Sequence, residues 1–295
     1  MNPLRRAARS STLRKLFLPL LAKLNPGDIR VRHAYTRDRL RMHSFRHRGY
    51  WFYGKDRERL SVALFKALIR HGDTVIDVGG HIGFTAILFA RLVGDPGKVF
   101  VFEPGPNNLP YLRDNTGRLT NIQVIDSALS NGTGTGILFM ENLTGQNNTF
   151  LEHFDAFTVN REKSYVCETT REQVQVPIMV FDQFAREYRV APALIKIDVE
   201  GFEWEVLQGM SETIDKHHPI LMVEVQTHRE EIHKWFRLQG YRLFHETLDE
   251  VTSPAELNLN TFFFHRHHHE AQLRRLGLTR ARDFDGTKSI NDGDD

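Results

Sequence analysis

The chain has 295 residues, of which 40% are hydrophobic and 26% charged, a composition typical of a globular protein that folds around its own core. Its single cysteine excludes an intramolecular disulfide and favours a reducing compartment, so we expect a cytoplasmic location. The net charge of +2 conceals an uneven distribution, because residues 1–59 hold 16 basic and 4 acidic residues whereas the remainder hold 23 and 33.

The basic N-terminal segment has two parts. Residues 1–24 are predicted to form an amphipathic helix, because leucines recur at helical spacing between basic residues. Such a helix is typical of peripheral contact with a membrane surface, although its Arg- and Ser-rich, acid-free composition also fits an organellar transit peptide. Its apolar stretch, Leu16–Ala22, is too short to cross a bilayer. Residues 28–59, basic and aromatic, are expected to form an extension or cap.

This charge asymmetry leaves the partner of the segment open. It is consistent with an anionic membrane surface or with nucleic acid as a partner. It is equally consistent with a solvated arm, or with a segment docked on the acidic remainder of the chain.

Helices and strands alternate from about residue 58 onwards. The predicted helices are Glu58–Arg70, Phe84–Val93, Pro106–Asn115, 181–188, Glu203–Met210 and 229–238. The predicted strands are Thr74–Val78, Val99–Glu103, Ile122–Ser127, Ile137–Glu141, Val174–Val180, Leu194–Val199 and Ile220–Gln226, with Tyr241–His245 and Thr261–His265 as a closing antiparallel pair. This pattern predicts an α/β fold with a doubly wound, mainly parallel sheet. We expect this domain to span residues 60–269, after the extension at 1–59 and before a polar, disordered tail at 270–295.

The first strand of that sheet runs into a glycine-rich turn. The turn has the sequence Asp77-Val78-Gly79-Gly80-His81-Ile82-Gly83 and opens an apolar helix. Glycines allow a ligand to approach the backbone, and the helix N-terminus offers free N–H groups. Because Asp77 stands where a dinucleotide-binding turn has its first glycine, the turn suits a ligand that bears an ammonium. It therefore favours S-adenosylmethionine over NAD.

The next two strands end in further candidate cofactor ligands. Glu103 can accept hydrogen bonds from both hydroxyls of an adenosine ribose. Asp126 could accept the adenine amino group, although a simple turn explains it equally well, and the small Ser127 leaves room for the ring. The full set of candidate cofactor ligands is Asp77, Gly79, His81, Gly83, Glu103, Asp126 and Ser127.

Two later strands end in candidates for catalysis. Asp198 interrupts a buried strand end and could orient a hydroxyl, act as a general base or hold a divalent ion. Glu200 is expected to cap the following helix. Glu224 and His228 follow the next strand as alternative bases, although a lone histidine that opens a helix is more often structural. Metal dependence stays open, and a divalent metal is conceivable without direct support.

Taken together, these segments resemble the FkbM family of S-adenosylmethionine-dependent methyltransferases over about residues 73–245. The most specific of them is Lys196-Ile197-Asp198-Val199-Glu200-Gly201-Phe202-Glu203, followed by Val206-Leu207-Gln208-Gly209. The resemblance implies a class I methyltransferase fold, Rossmann-like, with a seven-stranded sheet and one antiparallel closing strand. Gly79, Gly83 and Glu103 match the cofactor positions of the family, and Asp198 matches its signature acid.

The resemblance also implies O-methylation of a small molecule or glycan, such as a sugar, a lipid-linked saccharide or a polyketide-type acceptor. An RNA methyltransferase or RNA-binding protein anchored by residues 1–59 is the main alternative. An NAD-dependent oxidoreductase and an inactive scaffold remain further alternatives. The histidine run 265–269 is interpreted as an exposed strand end, because neighbouring side chains of a strand point to opposite faces.

Overall fold

A computed structural model describes residues 27–141, 145–152, 171–257 and 259–278 of the chain. The predicted amphipathic helix at residues 1–24 and most of the predicted tail lie outside these ranges. No helix among the described residues is long and apolar enough to cross a membrane.

The main sheet has seven strands and one short additional edge strand. Its strands are β3 (Thr74–Val78), β4 (Lys98–Phe102), β5 (Ile122–Ile125), β9 (Leu194–Ile197), β10 (Ile220–Val225), β11 (Tyr241–His245), β12 (Glu250–Val251) and β13 (Leu259–His265). They lie in the order β12-β11-β13-β10-β9-β3-β4-β5. Neighbours from β5 to β10 pair in parallel, and β13 runs antiparallel to both β10 and β11. The class I methyltransferase fold and its antiparallel closing strand are thus confirmed.

Helices cover the faces of this sheet. They are α1 (Arg48–Tyr53), α2 (Arg59–Leu68), α3 (Phe84–Val93), α4 (Leu109–Thr116), α5 (Phe181–Tyr188), α6 (Glu203–Gln208), α7 (Ser211–His217), α8 (Arg229–Leu238) and α9 (Glu270–Arg275). The central strands carry apolar side chains toward both layers, as expected for a parallel sheet buried on both faces. The helix α3 is apolar around most of its circumference and is buried accordingly.

The order of the strands reverses direction between β3 and β9. From β3 the chain builds the sheet outward through β4 and β5, and from β9 it builds the opposite half through β10. The crevice at such a reversal, beyond the carboxyl ends of the strands, is where ligands bind in this class of fold. The turn after β3 and the segment after β9 therefore meet at one place.

The N-terminal extension packs on this domain instead of standing apart from it. Its strands β1 (Asp28–Arg32) and β2 (Arg39–His43) form an antiparallel pair that sequence analysis did not predict. The buried side chains of Leu40, Met42 and Tyr50 pack with Ile82, Phe84 and Ile87, which border the glycine-rich turn or lie in α3. The extension and the start of α3 share one hydrophobic core, so the expected boundary at residue 59 does not separate two cores.

A small second sheet covers the same end of the molecule. It contains β6 (Ala128–Leu129), β7 (Gly134–Glu141) and β8 (Arg171–Met179) in the order β6-β8-β7. The polar loop at 145–150 lies beside it and is tied to the main domain, because the Asn108 amide donates a hydrogen bond of 2.9 Å to the Gly145 carbonyl. This loop and the N-terminal extension therefore flank the crevice from two sides.

The first part of the expected disordered tail is folded. Residues 270–275 form the helix α9, and its Leu273 side chain is almost fully buried against the core. Leu276 and Leu278 also pack against this core, so the leucines of a mostly polar segment hold the short helix on the domain. Residues 279–295 lie outside the described part of the chain.

Candidate active site

A cavity of about 500 Å³ opens at the crevice between β3 and β9. The turn after β3 forms its floor, and the residues after β4, β9 and β10 form its sides. Of the predicted site residues, those on its wall are Gly79, His81, Glu103, Ser127, Asp198 and Glu224. The carboxyl ends of separate strands are brought together here, as sequence analysis predicted from their alternation with helices.

The floor of the cavity depends on glycine at position 79. Gly79 has φ +84°, and a Cβ atom there would lie 1.9 Å from the carbonyl oxygen of Asp198. The turn after β3 and the segment after β9 thus touch backbone to backbone, which no larger residue would allow. Gly83 also has a positive φ, of +86°, where α3 begins.

A comparison of two glycines tests this close approach. Gly72 has φ +89° and no atom within 4 Å of a Cβ built on it, so Gly72→Ala should cost only the backbone strain, about 1–2 kcal/mol. Gly79→Ala should destabilise the fold by several kcal/mol more, because the Asp198 backbone must also move. Urea denaturation of both variants measures the difference. Equal losses for the two would contradict the role given to the contact.

Glu103 is held on the wall by three hydrogen-bond donors. Its Oε2 accepts from the His81 backbone N–H at 2.7 Å, and its Oε1 accepts from the Gly105 N–H at 2.9 Å and the Asn108 amide at 3.1 Å. Burial raises the pKa of Glu103 to about 7 against the lowering effect of these bonds. The carboxylate is rigidly oriented, and Oε2 keeps a lone pair for a further donor such as a ribose hydroxyl.

His81 links this floor to the N-terminal extension. Its Nδ1 lies 2.9 Å from the Tyr50 hydroxyl, and the two rings stack with centroids 5.7 Å apart. The Tyr50 hydroxyl also accepts a hydrogen bond of 3.2 Å from the Gln146 amide. A residue of the extension therefore bridges the glycine-rich turn and the polar loop at 145–150.

Three predicted cofactor ligands, Asp77, Gly83 and Asp126, do not lie on the cavity wall. Asp77 is fully buried behind the cavity, where it accepts a hydrogen bond of 2.9 Å from Thr85 and lies 3.5 Å from the Lys196 ammonium. Its direct contact with a cofactor ammonium stays a prediction. The expected position of Asp126 is corrected, because its carboxylate pairs with Arg113 on the outer surface and does not reach the cavity wall. Successive side chains of an extended segment point to opposite sides, and Ser127 is the one that faces the cavity.

The catalytic candidate Asp198 lies in a charged network at the end of β9. Its Oδ2 accepts a hydrogen bond of 3.1 Å from the buried Lys196 ammonium, and a third of its side chain, 32%, is exposed. Burial alone would raise the pKa of Asp198, but Lys196 and the hydrogen bond from Glu224 outweigh it and hold the pKa below its usual range. Lys196 stays charged, because Asp198 and Asp77 outweigh the effect of burial and raise its pKa.

Glu224 shares a hydrogen bond with Asp198 across the gap between β9 and β10. The negative charge of Asp198, followed by burial, raises the pKa of Glu224 to about 10. The two shifts have opposite directions, so Glu224 holds a proton to a higher pH than Asp198 does. Asp198 is the member of the pair that can accept a proton.

Glu200 also lies on the cavity wall, which sequence analysis missed when it assigned this residue to a helix cap. It has φ +55°, its carboxylate accepts a hydrogen bond of 2.9 Å from Gln226, and its carbonyl accepts one of 2.7 Å from Thr149. Burial and then the charge of Asp198 raise the pKa of Glu200 to about 8. The strained backbone after β9 is what turns its side chain into the cavity.

The raised pKa of Glu200 predicts a pH-dependent stability. Because the folded state binds this proton more tightly than the unfolded chain, whose pKa is about 4.3, the stabilisation is complete below that value. It is lost as the pH rises toward about 8. Glu200→Gln should therefore gain stability relative to the unmodified protein between pH 5 and 8.5, as measured by chemical denaturation. Parallel pH profiles for the two proteins would contradict this.

His228 does not reach the cavity. It is exposed, has φ +49° at the start of α8, and stacks on the outer face against Trp204 with ring centroids 6.5 Å apart. The strand β10 ends at Val225, so the chain has already turned away from the crevice at this residue. The assignment of His228 as an alternative base is corrected accordingly.

The histidine run at the end of β13 agrees with the expected exposed strand end only in part, because exposure is limited to Arg266, His267 and His268. His265 and His269 are buried, and Nδ1 of His269 accepts a hydrogen bond of 2.9 Å from the His265 backbone. The turn brings His265 and His268 beside His218, with one ring nitrogen of each within 4.8 Å of the others. Nδ1 of His265 already accepts backbone N–H bonds of 3.3 and 3.2 Å, so the cluster stabilises this turn. Among the described residues, no such group of three lies in the cavity.

Comparison with known proteins identifies the family. The sequence profile of the methyltransferase FkbM domain matches residues 77–243, which is more than half of the chain. No curated protein sequence matches the chain.

Three solved structures illustrate the similarity. An FkbM methyltransferase from Methylobacillus flagellatus is 15% identical over 69% of this chain and 50% of that one, with a TM-score of 0.43. Aeropyrum pernix fibrillarin with natively bound S-adenosylmethionine is 14% identical over 70% of this chain and 73% of its own, with a TM-score of 0.39. An S-adenosylmethionine-dependent O-methyltransferase from Thermotoga maritima is 14% identical over 70% of this chain and 64% of its own, with a TM-score of 0.37. This chain thus spans half the length of the M. flagellatus protein.

The residues on the cavity wall fit the cofactor of this family. The carboxylate of Glu103 can accept hydrogen bonds from hydroxyls such as those of a ribose, and the further acids on the wall suit a molecule that carries a sulfonium and an ammonium. The glycine floor lets such a molecule lie against the backbone. The family match covers the turn after β3, Glu103, Asp198 and Glu224 together. The chain belongs to the FkbM family of S-adenosylmethionine-dependent methyltransferases.

Proposed function

We propose that this protein transfers a methyl group from S-adenosylmethionine to a hydroxyl of a small molecule or glycan, such as a sugar, a lipid-linked saccharide or a polyketide-type acceptor. The observation that carries this proposal is the position of the Asp198 carboxylate. This carboxylate lies on the cavity wall, held by Lys196 and Glu224, directly beside the glycine floor. A hydroxyl acceptor needs such a group, because its proton must leave as the new carbon–oxygen bond forms.

S-adenosylmethionine supplies a methyl group that is already activated on a positively charged sulfur. The protein therefore has to orient the acceptor oxygen and take its proton. Asp198 accepts a hydrogen bond from the acceptor hydroxyl and then holds its proton. Lys196 balances the charge of Asp198 before transfer, and the neutral Glu224 avoids a second negative charge beside it.

The remaining wall suits an acceptor with several hydroxyls. Glu58 and Glu246 line the cavity near Lys196 and Asn260, and Glu246 already accepts a hydrogen bond of 2.6 Å from Ser61. Carboxylates are acceptor-only groups, so they match the hydroxyl donors of a sugar. A lipid-linked acceptor also agrees with the peripheral membrane contact that we propose for the basic residues 1–24.

Incubation with S-adenosylmethionine that carries a labelled methyl group tests this function. Candidate acceptors are free sugars, lipid-linked saccharide fractions, hydroxyl-bearing polyketides and, as the competing class, RNA. We expect label in a hydroxyl-bearing small molecule or glycan, as a methyl ether that survives alkaline hydrolysis and is identified by mass spectrometry. Label on RNA, or on a nitrogen atom of any acceptor, would refute the proposal.

A further inference from the structure

The N-terminal extension supplies part of the cavity wall. Tyr50, Arg57 and Glu58 all line the cavity, although they precede the family match at residues 77–243. Their position follows from the hydrophobic core that the extension shares with α3. The site therefore contains side chains that the family match does not account for.

Arg57 is the cation of this wall. Its guanidinium carbon lies 4.2 Å from the centre of the Tyr50 ring, and its Nε lies 3.0 Å from a carboxylate oxygen of Glu58. Only 23% of its side chain is exposed, so the group is held in a defined place at the cavity edge. Stacking on an aromatic face leaves the edge of a guanidinium free to donate hydrogen bonds in its plane.

Lys196 is the other lysine or arginine on the wall among the described residues, and it is already engaged. Its ammonium lies between Asp198 at 3.1 Å and Asp77 at 3.5 Å, with only 4% of the side chain exposed. Arg57 also has an acidic neighbour, Glu58, but its own side chain is 23% exposed, so Arg57 is the more accessible cation for a ligand anion that enters the cavity.

A chain of contacts relates Arg57 to the ribose ligand. Glu103 accepts a hydrogen bond from the His81 backbone, the His81 ring contacts the Tyr50 hydroxyl, and Arg57 covers the Tyr50 ring. His81 and Tyr50 thus separate Glu103 from Arg57 along the wall. S-adenosylmethionine also keeps its ribose diol apart from its amino-acid carboxylate, with the sulfonium between them.

We propose that Arg57 binds the carboxylate of the methionine portion of the cofactor, an inference that rests on the proposed function. The charges are complementary, because Arg57 is a cation on a wall whose other charged residues are mainly acids, and the carboxylate is the anionic group of the cofactor. A charge-assisted pair of this kind is short and oriented, and it fixes the end of a flexible ligand. Arg57 thereby positions the methyl group for the acceptor.

Calorimetry with two ligands tests this assignment without any acceptor. S-adenosylhomocysteine carries the carboxylate, and S-adenosyl-3-thiopropylamine lacks it but keeps the ammonium. The unmodified protein should bind the first about 10 to 100 times more tightly than the second. In Arg57→Met, which keeps the apolar stem against Tyr50, the ratio should fall to about 3 or less. Arg57→Lys should retain an intermediate ratio, because it keeps the charge but loses the planar fork.

The possible results distinguish a failure of the role given to Arg57 from a failure of the cofactor assignment. If Arg57→Met weakens both ligands equally, or changes neither, Arg57 does not bind the carboxylate and the inference is overturned. If the unmodified protein binds neither ligand, the cofactor assignment itself fails. If Arg57→Met leaves the ratio of the two ligand affinities unchanged but raises the KM for an anionic acceptor, Arg57 binds the acceptor and not the cofactor. That result would also overturn the inference. Thermal unfolding of each variant verifies that the fold is retained, and Arg57→Lys decides the matter if Arg57→Met does not fold.

Discussion

Replacing Glu103 by glutamine is expected to weaken the binding of S-adenosylhomocysteine about 10 to 100 fold, because a hydrogen bond to a charged group is worth roughly 1.5–3 kcal/mol. Glutamine keeps the shape of the side chain but loses the negative charge and one acceptor oxygen. The three donors that hold Glu103 would then surround a group that cannot accept from all of them. Isothermal titration calorimetry measures the loss directly.

The matched comparison is Asp126→Asn. From sequence alone both acids are candidate adenosine ligands, but only Glu103 lies on the cavity wall. Asp126 pairs with Arg113 on the surface, so its replacement should change affinity by less than about twofold, as expected for an exposed pair. Equal losses in the two variants would overturn the correction made for Asp126, and unchanged affinity in Glu103→Gln would overturn the ribose assignment.

The pH dependence of binding gives a second check on Glu103. Burial raises the pKa of this group to about 7, so in the free protein it loses its proton as the pH passes through that value. A ribose diol favours the ionised form, which accepts from both hydroxyls. Affinity should therefore rise from pH 6 to pH 8 in the unmodified protein, and Glu103→Gln should remove this rise.

The strands of the main sheet and the positions of their ends could be predicted from the sequence, because each buried strand is a short apolar run with a clear boundary. Apolar runs bounded by glycine or proline predicted β3 without error and placed Asp198 and Glu224 at the correct edge of the sheet. Since the carboxyl ends of parallel strands share one edge, the approach of these acids follows from the fold alone.

The direction of each side chain beyond a strand could not be predicted in the same way. Asp126 and Ser127 are neighbours, and which of them faces the cavity depends on how the backbone leaves β5. Glu200 and His228 both have a positive φ, at +55° and +49°, and tertiary contacts decide that one turns inward and the other outward. Local sequence carries no pattern for such choices.

The particular contacts of the N-terminal extension could not be predicted, for a different reason. Tyr50 is distant in sequence from the glycine-rich turn, and its contact with His81 accompanies the packing of Leu40 and Met42 on α3. That packing involves long-range apolar contacts without periodic spacing. The basic charge of the segment therefore left an external partner and docking on the chain equally open, and the structure places Arg57 on the cavity wall.

The Asp198→Asn variant should lose about 100- to 10,000-fold in methyl transfer, the range expected when a general base is removed. Its affinity for S-adenosylhomocysteine should change only a few fold, because the glycine floor and Glu103 remain. Asparagine cannot hold the acceptor proton, although it preserves the shape of the side chain and can still accept a hydrogen bond from Lys196. Turnover with the identified acceptor, measured together with calorimetry, separates loss of chemistry from loss of binding.

Glu224→Gln provides the sharper comparison, because it removes a carboxyl group of the same pair without removing a base. With a pKa raised to about 10, chiefly by the charge of Asp198, Glu224 is protonated near pH 7, and glutamine imitates that donor. We therefore expect Glu224→Gln to lose far less activity than Asp198→Asn at pH 7. As the pH approaches 10, the unmodified protein gains a second negative charge beside Asp198 and its rate should change, whereas the rate of Glu224→Gln should not. If both variants lose activity equally at pH 7, the proton is not on Glu224, and Asp198 is not the base.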